Sequence, residues 1–285
     1  MKKLGIIFIF IFIFIFLFVS MHGVNAEVFK IKQGEVFFYP IANKVATSAY
    51  FGGVKIPVFS FNGNNYALVV ADVAKKVGNY NLRIKNGEKE LEKKVIQVKI
   101  GDFKKVFTKV PYKFTTLPKD KQESVTKDRA PLVALLTKAS TETSPKLWQS
   151  IFRNPLDEIF VTSPFGYKRI YTNHSTIHNG VDFRAKIGTP IYAISDGKVL
   201  WGEGKALYLE GPMVAIDHGD GIVSKYLHLS KVLTQAGAMV HAGDIIGYSG
   251  NQGADITGPH LHFAIKIGNA SISPLQFIKE FQKLK

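Results

Sequence analysis

The sequence predicts a mainly β protein with an N-terminal β-sandwich-like domain, a helical connector and a C-terminal antiparallel β domain whose sheet is barrel-like or open. Three observations support this fold class. Short runs alternate apolar and polar residues, turn dipeptides such as Asn86-Gly87 and Asp196-Gly197 separate these runs, and few stretches have a helical pattern. The predicted parts are an N-terminal signal segment at 1–26, the first β domain at 27–100, a basic linker with a helix at 101–153 and the second β domain at 154–285.

The first 26 residues have the pattern of an export signal. A basic start at Lys2-Lys3 precedes an apolar stretch from Leu4 to Val19, and Val24-Asn25-Ala26 suits a signal peptidase, so we expect cleavage after Ala26. An uncleaved membrane anchor is the alternative, although the apolar stretch is shorter than the roughly 20 residues of a spanning helix. The chain has no cysteine, which excludes disulfides and a lipid attached at an N-terminal cysteine.

The formal net charge of +15 restricts the partners that we expect. A basic exported protein is attracted to anionic surfaces such as cell-wall polymers and lipid headgroups, while charge that serves solubility alone is the alternative. The export signal argues against a nucleic-acid partner. We therefore expect a periplasmic protein, or a secreted one as the alternative, with membrane contact only through the signal segment.

The first β domain, at 27–100, contains strand patterns but no visible chemistry. Phe29 and Ile31 alternate with lysines, and Tyr80, Leu82 and Ile84 alternate with polar residues before the Asn86-Gly87 turn, as in a small β-sandwich. This segment has no histidine and no clustered carboxylates. It is predicted to be a binding, spacing or regulatory module, and autoinhibition and cell-wall binding both remain open.

The connector, at 101–153, is predicted to be mostly solvated because residues 99–129 are rich in lysine and poor in aliphatic residues. A short helix is expected to follow, with Asp128 as its N-cap, Pro131 in its first turn and its end near Ser140. Its apolar face is predicted to comprise Leu132, Leu135 and Leu136. Such a helix could pack against either β domain or lie across a cleft.

Seven of the eight histidines lie between His174 and His262, and the last two are only two residues apart. On a strand, residues i and i+2 point to the same face, whereas on a helix they would point about 200° apart. His260 and His262 can therefore enter one pocket only if Leu261–Ile267 is a strand. Leu261 and Phe263 would then point into the interior.

A second pair of polar residues, His178 and Asp182, flanks Asn179-Gly180, a dipeptide that permits a bend and can turn both side chains toward one point. Together with His228 and the two C-terminal histidines, this pair supplies more ligands than a catalytic zinc site needs, since three protein ligands and an open position suffice. The surplus indicates catalysis. Three isolated histidines receive no role: His174, His218 and His241.

Five motifs in the second half of the chain occur in the order of a known family. They are Thr162-Ser163-Pro164-Phe165-Gly166, His178-Asn179-Gly180-Val181-Asp182, Gly188-Thr189-Pro190-Ile191-Tyr192-Ala193, Tyr226-Leu227-His228-Leu229-Ser230 and Gly258-Pro259-His260-Leu261-His262-Phe263. With these motifs the chain resembles the lysostaphin/LytM-type zinc metallopeptidases, which cut peptide bonds in bacterial peptidoglycan. The resemblance covers about residues 155–280.

By this resemblance, His178, Asp182 and His262 match the ligands of one zinc ion. His228 and His260 match two non-ligand histidines that line the site. One of these two would act as general base, and the other would stabilise the oxyanion or protonate the leaving amine; which does which stays open. The chain departs from the family at Glu203–Met213, where a shorter glycine-rich turn is common.

The resemblance implies an exported zinc endopeptidase that acts on peptidoglycan stem peptides, with the bond between D-alanine and a diamino acid as the expected target. Carboxypeptidase trimming of stem peptides is a variant of this prediction. One alternative is a regulator that activates another cell-wall hydrolase without cutting. Another is a secreted enzyme that kills competitors by cutting glycine bridges. The intact set of five site residues favours the endopeptidase.

Overall fold

The computed structural model describes residues 28–284 apart from positions 108, 110, 142, 143, 151, 205 and 255. The predicted signal peptide lies outside this part. Within the residues described, no helix combines the length and the apolar character that crossing a membrane requires.

Among the described residues, nine strands precede the first helix. They are β1 (Phe29–Lys32), β2 (Val36–Ile41), β3 (Ser48–Phe51), β4 (Val54–Ile56), β5 (Val58–Phe61), β6 (Asn64–Val70), β7 (Gly78–Asn86), β8 (Lys89–Lys99) and β9 (Lys105–Phe107). Two helices follow, α1 (Lys113–Thr116) and α2 (Lys119–Thr141).

The rest of the described chain is again mainly strand. It contains β10 (Val161–Ser163), β11 (Lys168–Ile170), β12 (Ser175–Ile177), β13 (Val181–Arg184), β14 (Pro190–Tyr192), β15 (Gly197–Trp201), β16 (Val214–Asp217), β17 (Ile222–Leu227), β18 (Leu229–Val232), β19 (Met239–Val240), β20 (Ile245–Ser249), β21 (His260–Ile267), β22 (Ala270–Ile272) and the helix α3 (Pro274–Gln282). The mainly β class is therefore confirmed.

Two sheets of the N-terminal region form the predicted sandwich. One has the strand order β1-β8-β7-β3-β4 and the other β2-β6-β5. Alternating residues such as Leu82 and Ile84 of β7 meet Val69 of β6 in one buried cluster between the sheets. The Asn86-Gly87 turn joins β7 to β8, and Gly87 has a φ of 55°, a left-handed value that glycine adopts without steric cost.

The smaller sheet of the sandwich is buried on both faces. Ala67 and Val69 face the sandwich core, whereas Leu68 between them joins a second cluster with Trp148 and Phe281 from the C-terminal half. Both faces of β6 therefore need apolar side chains, which explains its continuous run from Tyr66 to Val70. One hydrophobic core thus connects the N-terminal sandwich to the C-terminal sheet.

Substitution of Phe59 tests whether the two halves of the chain share this core. Its ring is 5 % exposed and lies 5.0 Å from the Trp148 ring and 6.3 Å from the Phe281 ring, centroid to centroid. We expect Phe59→Ala to lower the free energy of unfolding by about 3–5 kcal/mol, because it leaves a cavity between both halves. Thermal unfolding should remain a single transition at lower temperature. Val54→Ala, at a 66 % exposed position, is the control and should change little.

The connector differs from its prediction. Helix α2 begins at Lys119, so Asp128 and Pro131 lie in its interior, and the predicted N-cap and first turn are wrong. The lysine-rich stretch before Asp128 consists largely of good helix formers, so a polar, exposed segment can be helical as well as a linker. A strand (β9) and a short helix (α1) also lie in this segment, but all three residues of β9 are exposed and α1 has no buried residue, which agrees with the predicted solvation of the connector.

Helix α2 packs against the C-terminal sheet. Leu132 and Leu136 contact a cluster that includes Met213 and Ala215, whereas Leu135 is 37 % exposed, so its predicted place on the apolar face is wrong. Leu132 and Leu136 are one helical turn apart and share a face, which leaves Leu135 to the side.

The C-terminal sheet is open and its order is β10-β13-β21-β17-β16-β15-β19, with β22 also paired to β21. Paired residues share a face of a sheet. Leu227 is opposite His262, and Lys225, two residues before Leu227, is opposite Ala215. Helix α2, which contacts Ala215, therefore lies on the same face of the sheet as His262.

Candidate metal centre and active site

Strand β21 brings two of the predicted site residues to one face. His260 and His262 are the first and third residues of this strand, and Leu261 and Phe263 are fully buried on its other face. The strand that the spacing required is present. Antiparallel pairing with β13 places Asp182 directly opposite His262, so two strands supply neighbouring side chains.

Three side chains point their ligand atoms at one another. His178 Nε2 lies 3.0 Å from Asp182 Oδ1 and 3.1 Å from His262 Nδ1, and His262 Nδ1 lies 2.8 Å from Asp182 Oδ1. They form a group that could hold a metal ion, and their ligand atoms lie within 4.8 Å of one another. All three residues are less than 9 % exposed.

Backbone contacts fix the orientation of His178. Its Nδ1 lies 2.8 Å from the carbonyl oxygen of Pro164, which requires a proton on Nδ1 and leaves the lone pair on Nε2 facing the group. Pro164 belongs to the segment before β11. The motif that contains it thus has a physical role in setting the tautomer of the imidazole.

Gly180 is needed because β21 passes close to it. A Cβ at this position would lie 2.6 Å from His262 Nε2 and 2.6 Å from the Phe263 carbonyl oxygen, inside any real contact distance. The glycine thus serves close approach as well as the bend that the sequence suggested.

We expect Gly180→Ala to displace His262 or the β21 backbone and to lower the free energy of unfolding by about 1–3 kcal/mol. Thermal denaturation measures this loss. Gly258→Ala is a matched control, because a Cβ at Gly258 would meet no atom within 4 Å and its φ is not positive. Equal melting temperatures for the two variants would contradict the close approach.

Asp182 divides its two carboxylate oxygens between different partners. Oδ1 faces His178 and His262, while Oδ2 accepts a hydrogen bond of 2.8 Å from Arg169 Nη2. Burial would raise the pKa of this carboxyl, but the contacts with His178 and His262 outweigh it and hold the pKa well below its usual range. Asp182 is therefore an anion at neutral pH.

His228 and His260 complete the cluster at its other side. The His228 ring centroid lies 5.0 Å from that of His260 and 5.9 Å from that of His262. Each ring holds Nδ1 within 2.9 Å of a backbone carbonyl, that of Gln252 for His228 and that of Gly258 for His260. Each Nε2 consequently carries the lone pair and can accept a proton.

The backbone and surroundings of His228 are unusual. Its φ is 66°, in the left-handed region that residues other than glycine rarely adopt. Burial, together with the neighbouring His262 and His260, lowers the pKa of its imidazole to about 3. His228 is therefore neutral at pH 7. Backbone strain of this kind clusters at functional sites.

The structure brings all five predicted residues together and leaves the three isolated histidines outside the cluster. His218 is buried and bonds the Asp196 carbonyl and the Ser224 hydroxyl at 2.8 Å each. The His241 side chain is 81 % exposed. His174 stacks on the Tyr112 ring at 5.4 Å. None of these three histidines belongs to the cluster.

Sequence reasoning missed the residues that support the cluster from outside. Besides Arg169, these are Arg129 of α2 and Glu210, whose side chains form an ion pair at 2.6 Å. The Glu210 carbonyl accepts the backbone N–H of His228 at 2.9 Å, which links α2 to that histidine. Arg129 and Glu210 are 81 positions apart, so no local pattern reveals the pair. In the sequence, Glu210 is marked only by its place in Glu203–Met213, the segment that departs from the family pattern.

Comparison with known proteins identifies the segment that carries the cluster. Residues 176–274 match the model of Peptidase family M23. The matched range contains all five cluster residues, whereas Arg169 and α2 lie before it.

Two curated relatives each match less than half of the chain. The peptidoglycan DD-endopeptidase ShyA of Vibrio cholerae is 36% identical over 133 residues, which cover 46% of this chain and 30% of ShyA. The DD-carboxypeptidase/endopeptidase Mpg of Neisseria meningitidis serogroup B is 37% identical over 122 residues, which cover 42% of this chain and 27% of Mpg. The chain thus spans less than a third of the length of these curated relatives.

One solved structure resembles most of the chain. It is the crystal structure of a candidate peptidase M23 from Pseudomonas aeruginosa, with a TM-score of 0.66 and 24% identity. The superposition covers 87% of this chain and 95% of that one. At this identity the likeness concerns the fold alone, and it extends well beyond the M23 segment.

Proposed function

We propose that this chain, which carries an M23 metallopeptidase domain of the LytM type, is an exported zinc endopeptidase that hydrolyses peptide cross-links in bacterial peptidoglycan. One observation carries the proposal. Three ligand atoms converge within 4.8 Å, and two further imidazoles beside them hold Nδ1 against a backbone carbonyl, which leaves the lone pair on Nε2. A non-catalytic protein would have no need of this complete arrangement.

The residues fit one zinc ion held by His178, Asp182 and His262. Zinc bonds to nitrogen and oxygen of about 2.0 Å imply distances of roughly 3.3 Å between tetrahedral ligands. The observed separations of 2.8 to 3.1 Å are close to this value. Two histidines and a carboxylate also bind iron in other enzymes, and the M23 match favours zinc.

When bound, zinc polarises the scissile carbonyl and lowers the pKa of water toward about 7. His228 and His260 lie beside the ligands and are proposed to accept and donate the protons of the reaction. A neutral Nε2 on one ring accepts the proton of the attacking water. The other ring, which would take a proton from solvent on its Nε2, donates a hydrogen bond to the developing oxyanion or gives this proton to the leaving amine, and the first ring then releases its proton to solvent. Asp182 remains an anion and offsets the positive charge of the site.

The proposed target is the bond between D-alanine and a diamino acid in a cross-link, with carboxypeptidase trimming as a second activity. Support comes from the names of the relatives, a DD-endopeptidase and a DD-carboxypeptidase/endopeptidase. The formal net charge is +15 for the full chain and +13 without Lys2 and Lys3 of the predicted signal segment, and such a charge suits an anionic wall polymer. We place the protein outside the cytoplasm, in the periplasm, after removal of residues 1–26.

Digestion of purified sacculi, followed by mass spectrometry of the released muropeptides, tests the proposed bond. Conversion of cross-linked dimers to monomers is the expected result. Trimming of monomers alone would make the protein a carboxypeptidase. Release of fragments cut within glycine bridges would contradict the proposed bond.

A regulator that activates another hydrolase is the competing function, because a peptidase fold could dock a partner without cutting. His178→Ala separates the two. The endopeptidase loses hydrolysis of purified sacculi in this variant, whereas a regulator keeps its stimulation of a partner hydrolase. Survival of the full effect in His178→Ala would favour the regulator.

A further inference from the structure

Arg169 contacts Asp182, one of the three candidate metal ligands, from a different sheet. It lies in β11, the middle strand of the three-stranded sheet β12-β11-β9, whereas Asp182 lies in the eight-stranded sheet. Its Nη2 donates to Asp182 Oδ2 at 2.8 Å and to Ser163 Oγ at 3.0 Å. The arginine side chain is 31% exposed and the aspartate side chain 8%, so the pair is partly shielded from water.

The contact with Arg169 determines which oxygen of Asp182 is available. With Oδ2 held by the guanidinium, only Oδ1 faces His178 and His262. Without that bond, the carboxylate could rotate about its Cβ–Cγ bond and exchange its oxygens or present both. A charge-assisted bond to a planar guanidinium resists this rotation.

The connector holds the strand that carries Arg169. Strand β9 pairs in parallel with β11 and places Val106 opposite Arg169. The Lys104 carbonyl also accepts the backbone N–H of Lys168 at 2.9 Å. On the other side β12 places Thr176 opposite Arg169. The arginine backbone is thus fixed between two strands, one of them outside the M23 segment.

We infer that Arg169 is a positioning residue, which holds Asp182 so that a single carboxylate oxygen ligates the metal. The inference rests on the proposed function only in taking zinc as the metal. It also gives the connector a role at the site, because β9 supports the strand from which the arginine reaches. Residues that hydrogen-bond metal ligands in this way typically change metal affinity by about 10–100-fold when they are replaced.

Zinc affinity of the full chain, measured by competition with a chromophoric chelator, tests the inference. Arg169→Met should weaken zinc binding by about 10–100-fold. Lys168→Met is the matched control, because it removes the same charge from the same strand on the opposite, exposed face. This control should keep the wild-type affinity. If Arg169→Met does not fold, Arg169→Lys keeps the charge without the planar fork and should show a loss of about tenfold.

A second readout separates positioning from general destabilisation. With cobalt in place of zinc, the visible absorption of Arg169→Met should differ in position or intensity from that of wild type, because the ligation by Asp182 changes. Wild-type affinity together with an unchanged cobalt spectrum would overturn the inference.

The same proteins distinguish this inference from the proposed function. If the wild type hydrolyses sacculi while Arg169→Met keeps wild-type affinity and spectrum, only the role of Arg169 fails. If Arg169→Met weakens zinc binding as expected but the wild type cuts no peptidoglycan, the role of Arg169 stands and the proposed function fails.

Discussion

His262→Ala is expected to release zinc and to reduce peptidoglycan hydrolysis to the background rate. The variant removes one of three proposed ligands and leaves only His178 and Asp182. Enzymes accelerate their reactions by at least about 10⁶-fold, so loss of the metal should cost activity on that order. Both effects can be measured on one sample. Inductively coupled plasma mass spectrometry gives the zinc content, and the rate of muropeptide release gives the activity.

Two further variants control for loss of the fold. Asp182→Asn keeps the shape of a ligand side chain while it removes the charge, and it should also lose zinc. His241→Ala makes the same chemical change as His262→Ala at an exposed histidine outside the cluster and should leave zinc and activity unchanged. Full activity in His262→Ala with a native melting temperature would exclude this site as the catalytic centre.

Replacement of His228 or His260 is expected to cause the second largest loss of activity, but without loss of zinc. Neither histidine belongs to the three-residue metal group, so each alanine variant should retain one zinc per chain. Loss of a positioned proton acceptor or donor typically costs about 10²–10⁴-fold in rate. We expect kcat to fall in this range in both variants, while zinc affinity changes little.

The comparison of the two variants also assigns their roles. The general base is the residue whose loss removes the acidic limb of the pH–rate profile, because that limb reports protonation of the base. A variant of either residue that loses zinc as completely as His262→Ala would instead make that residue a ligand.

The sequence was sufficient to predict the parts of the site that depend on local geometry. The i, i+2 spacing of His260 and His262 requires a strand, and the structure has β21 there. The spacing of His178 and Asp182 around Gly180 brings the second pair to the same point. Strand alternation likewise predicted the N-terminal sandwich. In each case the period of the backbone alone determines which side chains share a face.

Contacts between distant segments could not be predicted in this way. In the sequence, Arg169 follows Lys168 and looks like part of a solvated basic pair. Only the structure, in which β11 pairs with β9 and β12, shows that the Arg169 side chain points toward Asp182. The shared core is hidden for the same reason, because Phe59 and Trp148 are far apart in the chain. The predicted start of α2 lies too late in the chain. Pro131 is typical of the first turn of a helix, but here it lies in the helix interior, where packing against the C-terminal sheet holds the helix together.

The most direct test of the central claim is stepwise zinc addition to the metal-free protein while the cleavage of a purified cross-linked muropeptide dimer is followed. If His178, Asp182 and His262 hold one catalytic ion, the rate should rise linearly with zinc and level off at one equivalent per chain. Absence of cleavage at full occupancy, or equal cleavage by the metal-free protein, would contradict a zinc endopeptidase.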